Sequence, residues 1–330
     1  MNTWQQLVTP KAPLTPSFPG CALLDLSHFG LIRVSGADAR SFLQGQLTND
    51  INAVTPELVQ LSSYCSPKGR MLGSFWIFER DGDLYVQLPV TRLPAILKRL
   101  RMFVLRAQVS LVDASDELAR IGLAGDCAAA MLPFTPADNE KACLTVDGLT
   151  IIRMPGDRPR FELLGPAASL AGIWSQISSQ AEQVGHEFWS LMDIRAGIPN
   201  VFDDTVEAFV PQMANMQLIG GVSFTKGCYT GQEIVARMQY LGTLKRRMYR
   251  AYIEGTESPA PGAEIYSPSN ESGQGAGRIV DAAPAPDGGF EALAVLQISS
   301  AEANDLRLGD ADGPTLRLLG LPYEFATTGD

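Results

Sequence analysis

Cysteine is sparse in this chain and histidine sparser still: five and two among 330 residues. Cys21, Cys65, Cys127, Cys143 and Cys228 are scattered, with no C-x-x-C pair and an odd total. That pattern offers no self-contained zinc or cluster cage and fits a reducing cytoplasm. His28 and His186 stand in no recognisable catalytic setting, so a cysteine–histidine hydrolase is discounted. No apolar run approaches the roughly 18 residues that a membrane span needs. The first twenty residues hold Pro10, Pro13, Pro16 and Pro19 and lack the apolar core of a signal peptide. Positive charge is short as well. A formal net charge of −10 argues against a protein that coats nucleic acid.

The length exceeds one ordinary core and suggests two or three domains. Apolar residues make up 45% and charged residues 19%, so a sizeable core can be buried. The charge is uneven. From Lys226 to Arg250 there are six basic residues against the single acid Glu233. A second basic run comprises Arg92, Lys98, Arg99, Arg101 and Arg106. We read the second as a solvated helix face and the first, because of its neighbours, as a candidate anion or RNA-backbone contact.

Those neighbours are Lys226-Gly227-Cys228-Tyr229-Thr230-Gly231-Gln232-Glu233. Thr230 and Glu233 have the T-x-x-E spacing of a capping box, which predicts a helix starting near Gly231 with Thr230 as its cap. Tyr229 and Ile234 take the positions of a hydrophobic staple. Cys228 then falls just outside the helix mouth, and Lys226 is two residues away. Both features favour a thiolate. Most lone cysteines are small core hydrophobes, but one buried for packing alone requires none of this company.

Along the chain, 1–19 reads as an extended, proline-rich lead-in. Leu23–Val34 is a strand pair, and Asp38 is a plausible cap for a helix over Ala39–Leu47. Leu58–Cys65, Met71–Glu79 and Leu84–Leu88, divided by short turns, form an antiparallel meander. A helix follows from Arg92 and a strand near Val109–Val112. From Ala119 a similar outline repeats, with helices over Cys127–Leu132 and Ala168–Gln180, and a shorter one over Trp189–Ala196. The amide-rich, charge-poor stretch Glu207–Met216 suits a pocket wall. Composition changes after Tyr240, dividing a core over 1–240 from an all-β module over 241–330. Gly273-Gln274-Gly275-Ala276-Gly277 is a hairpin turn rather than a dinucleotide fingerprint, and the sequon at Asn270 carries no weight.

With these motifs laid out, the chain resembles the YgfZ-type folate-binding proteins, relatives of the glycine-cleavage aminomethyltransferase. Lys226 to Glu233 carries the likeness. It is supported by 42–50 (FLQGQLTND), 67–70 (PKGR), 195–199 (RAGIP), 209–212 (FVPQ) and 321–323 (LPY). The resemblance implies an α+β fold: an aminomethyltransferase-like ring of three subdomains. Two would be intertwined and ferredoxin-like and the third a C-terminal β-barrel, around a central hole that holds tetrahydrofolate. It implies pterin contacts from Trp189 and from Phe29, where the family commonly has Trp. It also implies a role in iron–sulfur cluster assembly and tRNA processing, with Cys228 and Lys226 as redox or sulfur-handling residues. The aminomethyltransferases carry an acidic pair after the glycine turn, whereas this chain has Gly73-Ser74. Asp50 reads as a cap or structural acceptor.

The leading expectation is therefore a folate-binding accessory factor for iron–sulfur clients, including enzymes that modify tRNA, and not a free-standing enzyme. A true aminomethyl- or one-carbon transferase fails on the missing acid. A direct tRNA-binding protein would use Lys245, Arg246 and Arg247, against the acidic overall charge.

Overall fold

The computed structural model describes Trp4, Val8, 18–270 and 275–325. Its first two strands, β1 (Cys21–Asp25) and β2 (Phe29–Ser35), are separated by three residues yet enter different sheets. β2 joins β3 (Gln60–Cys65), β4 (Met71–Arg80), β5 (Asp83–Pro89) and β6 (Ser110–Asp113) in an antiparallel sheet of order β3-β4-β5-β2-β6. β1 crosses over to β7 (Ala119–Gly125), β8 (Cys143–Val146), β9 (Leu149–Met154), β10 (Arg160–Gly165) and β11 (Glu182–Gln183), in the order β11-β1-β7-β10-β9-β8. This exchange of one strand makes the two α+β subdomains intertwined. The expected meander is β3-β4-β5, with every residue of β3 buried because that sheet is covered on both faces.

Helices close the outer faces. In Leu93–Arg101, Leu93, Ile96, Leu97 and Leu100 recur at helical spacing and point into the first core. Lys98, Arg99 and Arg101 occupy its last turn, where cations oppose the dipole, so this part of the second basic run is a helix face as expected, whereas Arg92 is buried and pairs with Asp203. The helix Ala167–Ile177 covers the second sheet with Leu170, Trp174 and Ile177. A third core lies between the two sheets and takes in Phe29, Trp76, Phe188 and Trp189.

The remaining strands are β12 (Arg246–Ile253), β13 (Glu264–Tyr266), β14 (Gly277–Pro284), β15 (Phe290–Gln297), β16 (Arg307–Leu308) and β17 (Leu316–Leu319). They form one curled sheet, β16-β13-β14-β15-β12-β17, which is a half-barrel and not a closed one. Leu191 and Ile194 of the helix Glu187–Arg195 share a core with Met248, Val280 and Leu293 of this sheet. Glu291 on β15 reaches back to bind Arg195 at 2.7 Å and Arg250 at 2.6 Å.

Several local expectations are corrected. The helix at Ala39 ends at Gln44, and Asp38 turns away from it to accept from the backbone N–H of Gln108 at 2.7 Å. Cys127–Leu132 shortens to Ala128–Met131. Within the lead-in, of which 4, 8, 18 and 19 are described, Trp4 and Val8 are buried in the second core, and the Trp4 indole donates to Asp25 at 3.0 Å. The glycine run is described only from Gly275 onward, and Glu271 and Ser272 of the sequon also lie outside the described residues. Cys21 and Cys127, 106 positions apart, form a disulfide with Cα atoms 5.7 Å apart, which their spacing gave no sign of.

Candidate functional site

The signature motif is built around a lysine rather than a thiol. Lys226 is buried, and its ammonium donates to the carbonyls of Gln44 and Leu47 at 2.6 Å and of Asn49 at 2.9 Å. Those carbonyls end the helix Ala39–Gln44 and the turn after it, so Lys226 ties the motif to 42–50. Burial lowers its pKa to about 8, opposed by the charge of Asp50, while three acceptors match the three N–H bonds of the charged form. Asp50 is the structural acceptor expected: its carboxylate receives Gln44 at 2.9 Å and the N–H of Asn52 at 3.1 Å.

The capping box does not form. The helix runs Gln232–Tyr240, and its cap is Gly231 at φ +84°, with no side-chain cap from Thr230. A Cβ at Gly231 would collide with the carbonyl oxygen of Ser66, so close packing against the 66–69 turn selects glycine there and overrides the T-x-x-E signal. Glu233 is exposed in the first turn, where the dipole favours a carboxylate. Tyr229 is buried under the Lys226 ammonium, 5.1 Å from its ring, and burial raises its phenol well above the usual range. Gln212 of 209–212 donates to the Val235 carbonyl at 2.6 Å, fastening the same helix from its far side. Cys228 is exposed, beside exposed Gly227. With its nitrogen engaged by three carbonyls, Lys226 is not the thiolate partner that the sequence suggested.

Phe29 lines a cleft of about 300 Å³ between the helix Glu187–Arg195 and β14. His28, His186, Asn200, Phe202 and Asp281 share its wall. Both ring nitrogens of His28 are shielded from solvent without a hydrogen-bond partner, and burial pushes its pKa down to about 3. Asp281 is buried at a β-bulge, where Oδ1 accepts from the N–H of Ala282 while Oδ2 has no partner. Burial, with Asp193 adding repulsion, pushes it up to about 8. Burial thus favours an uncharged imidazole and a protonated carboxyl in this cleft. Neither residue was expected to matter, because burial and an unmet hydrogen bond leave no mark in the sequence.

Trp189 is 1% exposed and does not line that cleft. Its indole presses on β7, where a Cβ at Gly122 would come within 2.8 Å of the ring. Arg160 lies over the same ring at 4.9 Å. Arg160 pairs with Asp193 at 2.8 Å in full burial, and Asp193 receives Asn200 at 3.4 Å. A buried polar chain thus runs from the cleft wall at Asn200 to the indole.

A second cavity, about 380 Å³, opens where all three bodies meet. Leu61 and Trp76 come from the first sheet, Lys141 from the second subdomain, Ile198 from the connecting segment and Tyr323 from the C-terminal tail. Tyr323 donates to the Gly197 carbonyl at 3.1 Å and accepts from Asn215 at 3.2 Å, which joins 321–323 to 195–199. Two residues from Trp76, Ser74 has a buried hydroxyl without a partner, and a Cβ at Gly73 would lie 2.6 Å from the Phe75 ring. The Phe75 ring thus leaves no room for a carboxylate side chain at Gly73.

Residues 19–144 match the GCVT N-terminal domain family. The glycine cleavage system aminomethyltransferase T from Bartonella henselae has the same fold, with a TM-score of 0.72 at 15% identity over 97% of this chain and 88% of that one. The tRNA-modifying protein YgfZ of Colwellia psychrerythraea (strain 34H / ATCC BAA-681) is 31% identical over 312 residues, spanning 93% of this chain and 92% of that protein. On that extent of similarity, and with every quoted motif engaged in one fold, the chain belongs to the YgfZ family.

Proposed function

We propose that the protein binds a folate and serves tRNA modification, acting on or beside iron–sulfur enzymes through its exposed thiol. The observation that carries the folate reading is the Phe29 cleft with its unpartnered polar atoms. A pterin is a flat ring with an amide-like edge of N–H donors and a carbonyl acceptor. Phe29 and Phe202 offer aromatic faces, the carboxyl of Asp281 offers both a donor and an acceptor, and His28 offers one of each. The residues present therefore fit the group. When bound, tetrahydrofolate supplies the ring nitrogen that carries one-carbon units. Trp189 senses the cleft through Arg160, Asp193 and Asn200 and need not touch the ligand.

A second seat is favoured by a separate observation. The Trp76 cavity lies at the meeting point of the three bodies, as the central hole of the ring should, with the free hydroxyl of Ser74 close by in the strand. In either seat the chain orients a folate without the acid that one-carbon transfer requires. The exposure of Cys228 on the loop before its helix supports a contact of this thiol with another protein. The likeness to a tRNA-modifying protein, and Gly73-Ser74 where the transferases carry an acidic pair, support an accessory factor over a transferase.

Calorimetric titration with tetrahydrofolate separates these readings. Phe29→Ala is expected to weaken binding by roughly 5- to 150-fold, the range for losing one stacked aromatic, with Trp76→Ala near wild type. The reverse pattern moves the pterin to the central cavity. No binding to wild type removes the folate reading altogether. Cys228→Ala fully restoring tRNA modification in cells lacking the protein would remove the thiol role alone.

A further inference from the structure

The largest of these cavities, about 430 Å³, lies away from both aromatic seats, between the 66–70 turn and the half-barrel. Three arginines converge on it from separate segments. Arg70 follows the glycine turn, Arg246 opens β12 and Arg278 lies on β14. Glu207 and Glu264 are the acids that face it, and both are exposed at its rim. The chain as a whole carries −10, yet this wall carries one positive charge in excess.

The partners of the three guanidiniums are incomplete. Arg70 donates one nitrogen to the carbonyls of Glu207 and Ala208, at 3.0 and 2.8 Å, and Arg246 donates one to Gly275 at 3.1 Å. Neither has a carboxylate partner among the described residues. Arg278 meets Glu264 at 3.1 Å, an exposed pair of small worth. Arg246 is partly desolvated, and repulsion from Arg278 adds to what burial does in lowering its pKa. Two like charges held together in partial burial, with N–H bonds to spare, are stabilised by an oxyanion between them. The pleat of β12 matters here. Successive side chains alternate, so Arg246 enters the cavity while Arg247 faces the other way, over the Phe325 ring, and Lys245, exposed just before the strand, does not line the cavity. Phe209 and Met213 give the cavity an apolar floor beneath the guanidiniums.

We propose that this cavity binds a phosphate ester, with Arg70, Arg246 and Arg278 taking the phosphate and Phe209 and Met213 the organic group it carries. The site is independent of where, or whether, a folate binds. The ester has two sources, an RNA chain or a small phosphorylated compound, and both place the same oxyanion in the same fork.

The probes are adenosine 5′-monophosphate and inorganic pyrophosphate by calorimetry, and a fluorescein-labelled tRNA transcript by anisotropy from about 50 to about 200 mM KCl. Arg246→Gln is expected to weaken whichever probe binds by about ten-fold or more, and Lys245→Gln to leave it unchanged. Glu264→Gln, which removes a rim carboxylate, is expected to tighten it about two- to five-fold, a gain that damage to the fold would not produce. If Arg246→Gln fails to fold, Arg246→Lys keeps the charge, loses the fork and must still weaken binding. An RNA source gives tRNA binding whose salt slope falls by about one per arginine removed. A small-molecule source gives binding of the nucleotide or pyrophosphate and none of the transcript. The proposal is overturned if none of the three binds wild type, or if Lys245→Gln costs as much as Arg246→Gln.

Discussion

Lys226 shows how one side chain can carry a motif's structure without carrying its chemistry. Its three N–H bonds are spent on three backbone carbonyls that no other described donor satisfies, 177 to 182 positions earlier in the chain. Removing the ammonium leaves those oxygens desolvated and unpaired. Lys226→Met is expected to cost about 3 kcal/mol or more, read as a lowered midpoint in urea. The same variant is expected to leave the rate at which Cys228 reacts with a maleimide unchanged below the midpoint, because the lysine does not face the thiol. A slowed alkylation would restore the thiolate-tuning role. The spacing of Lys226 and Cys228 was legible in the sequence, but the direction of the lysine was not. Gln44, Leu47 and Asn49 compete for it only once the chain has closed.

At the level of elements, the cleft between the helix Glu187–Arg195 and β14 sets an unusual pH response. Asp281 ionises near its ordinary value when unfolded but only at about 8 in the fold. Between those values the native state holds a proton that the unfolded state has lost, so stability falls as pH rises, and the loss is complete above about 8. His28 acts at the other end. Held neutral to about 3, it withholds stability as pH falls below its ordinary value of 6.5. Asp281→Asn keeps the neutral shape and removes the first response. Denaturant melts at pH 5 and pH 8 are expected to show the variant gaining on wild type at the higher pH; equal differences at both would place the Asp281 carboxyl in the charged form. The elements themselves were largely readable. Apolar segments divided by short turns marked the meander, and helical spacing marked Leu93–Arg101. The capping box was misread because T-x-x-E describes a local preference, and the Gly231 backbone is held by a turn 165 positions away.

Over the whole molecule, the half-barrel is fastened to the rest by a shared core and one buried carboxylate. Glu291 holds Arg195 from the connecting helix and Arg250 from β12, and is itself almost inaccessible. Breaking such a cluster from one side leaves two cations facing each other in low dielectric. Glu291→Gln is expected to cost about 3–5 kcal/mol. Because the loss falls at the seam, hydrogen exchange should rise first across 246–325, ahead of the two intertwined sheets. Uniform acceleration over the chain would instead mark the seam as no weaker than the cores it joins. The fold class, with its three bodies, could be inferred from the family motifs, since they spread from 42 to 323 and engage one another pairwise across the structure.

By itself the sequence determined the alternation and helical spacing of most elements, the acidic balance, the signature motif and the absent acid at Gly73-Ser74. Each is a property of neighbours in the chain or of residue type. Only the tertiary structure decided that Lys226 serves carbonyls, that Gly231 and not Thr230 caps the helix, and that Cys21 meets Cys127. It also put His28 and Asp281, each with an unmet polar atom, into one cleft with Phe29, and brought Arg246 together with Arg70 and Arg278. The reason is physical. Burial, desolvation and unmet hydrogen bonds depend on which distant segments exclude water together, and no local pattern encodes that.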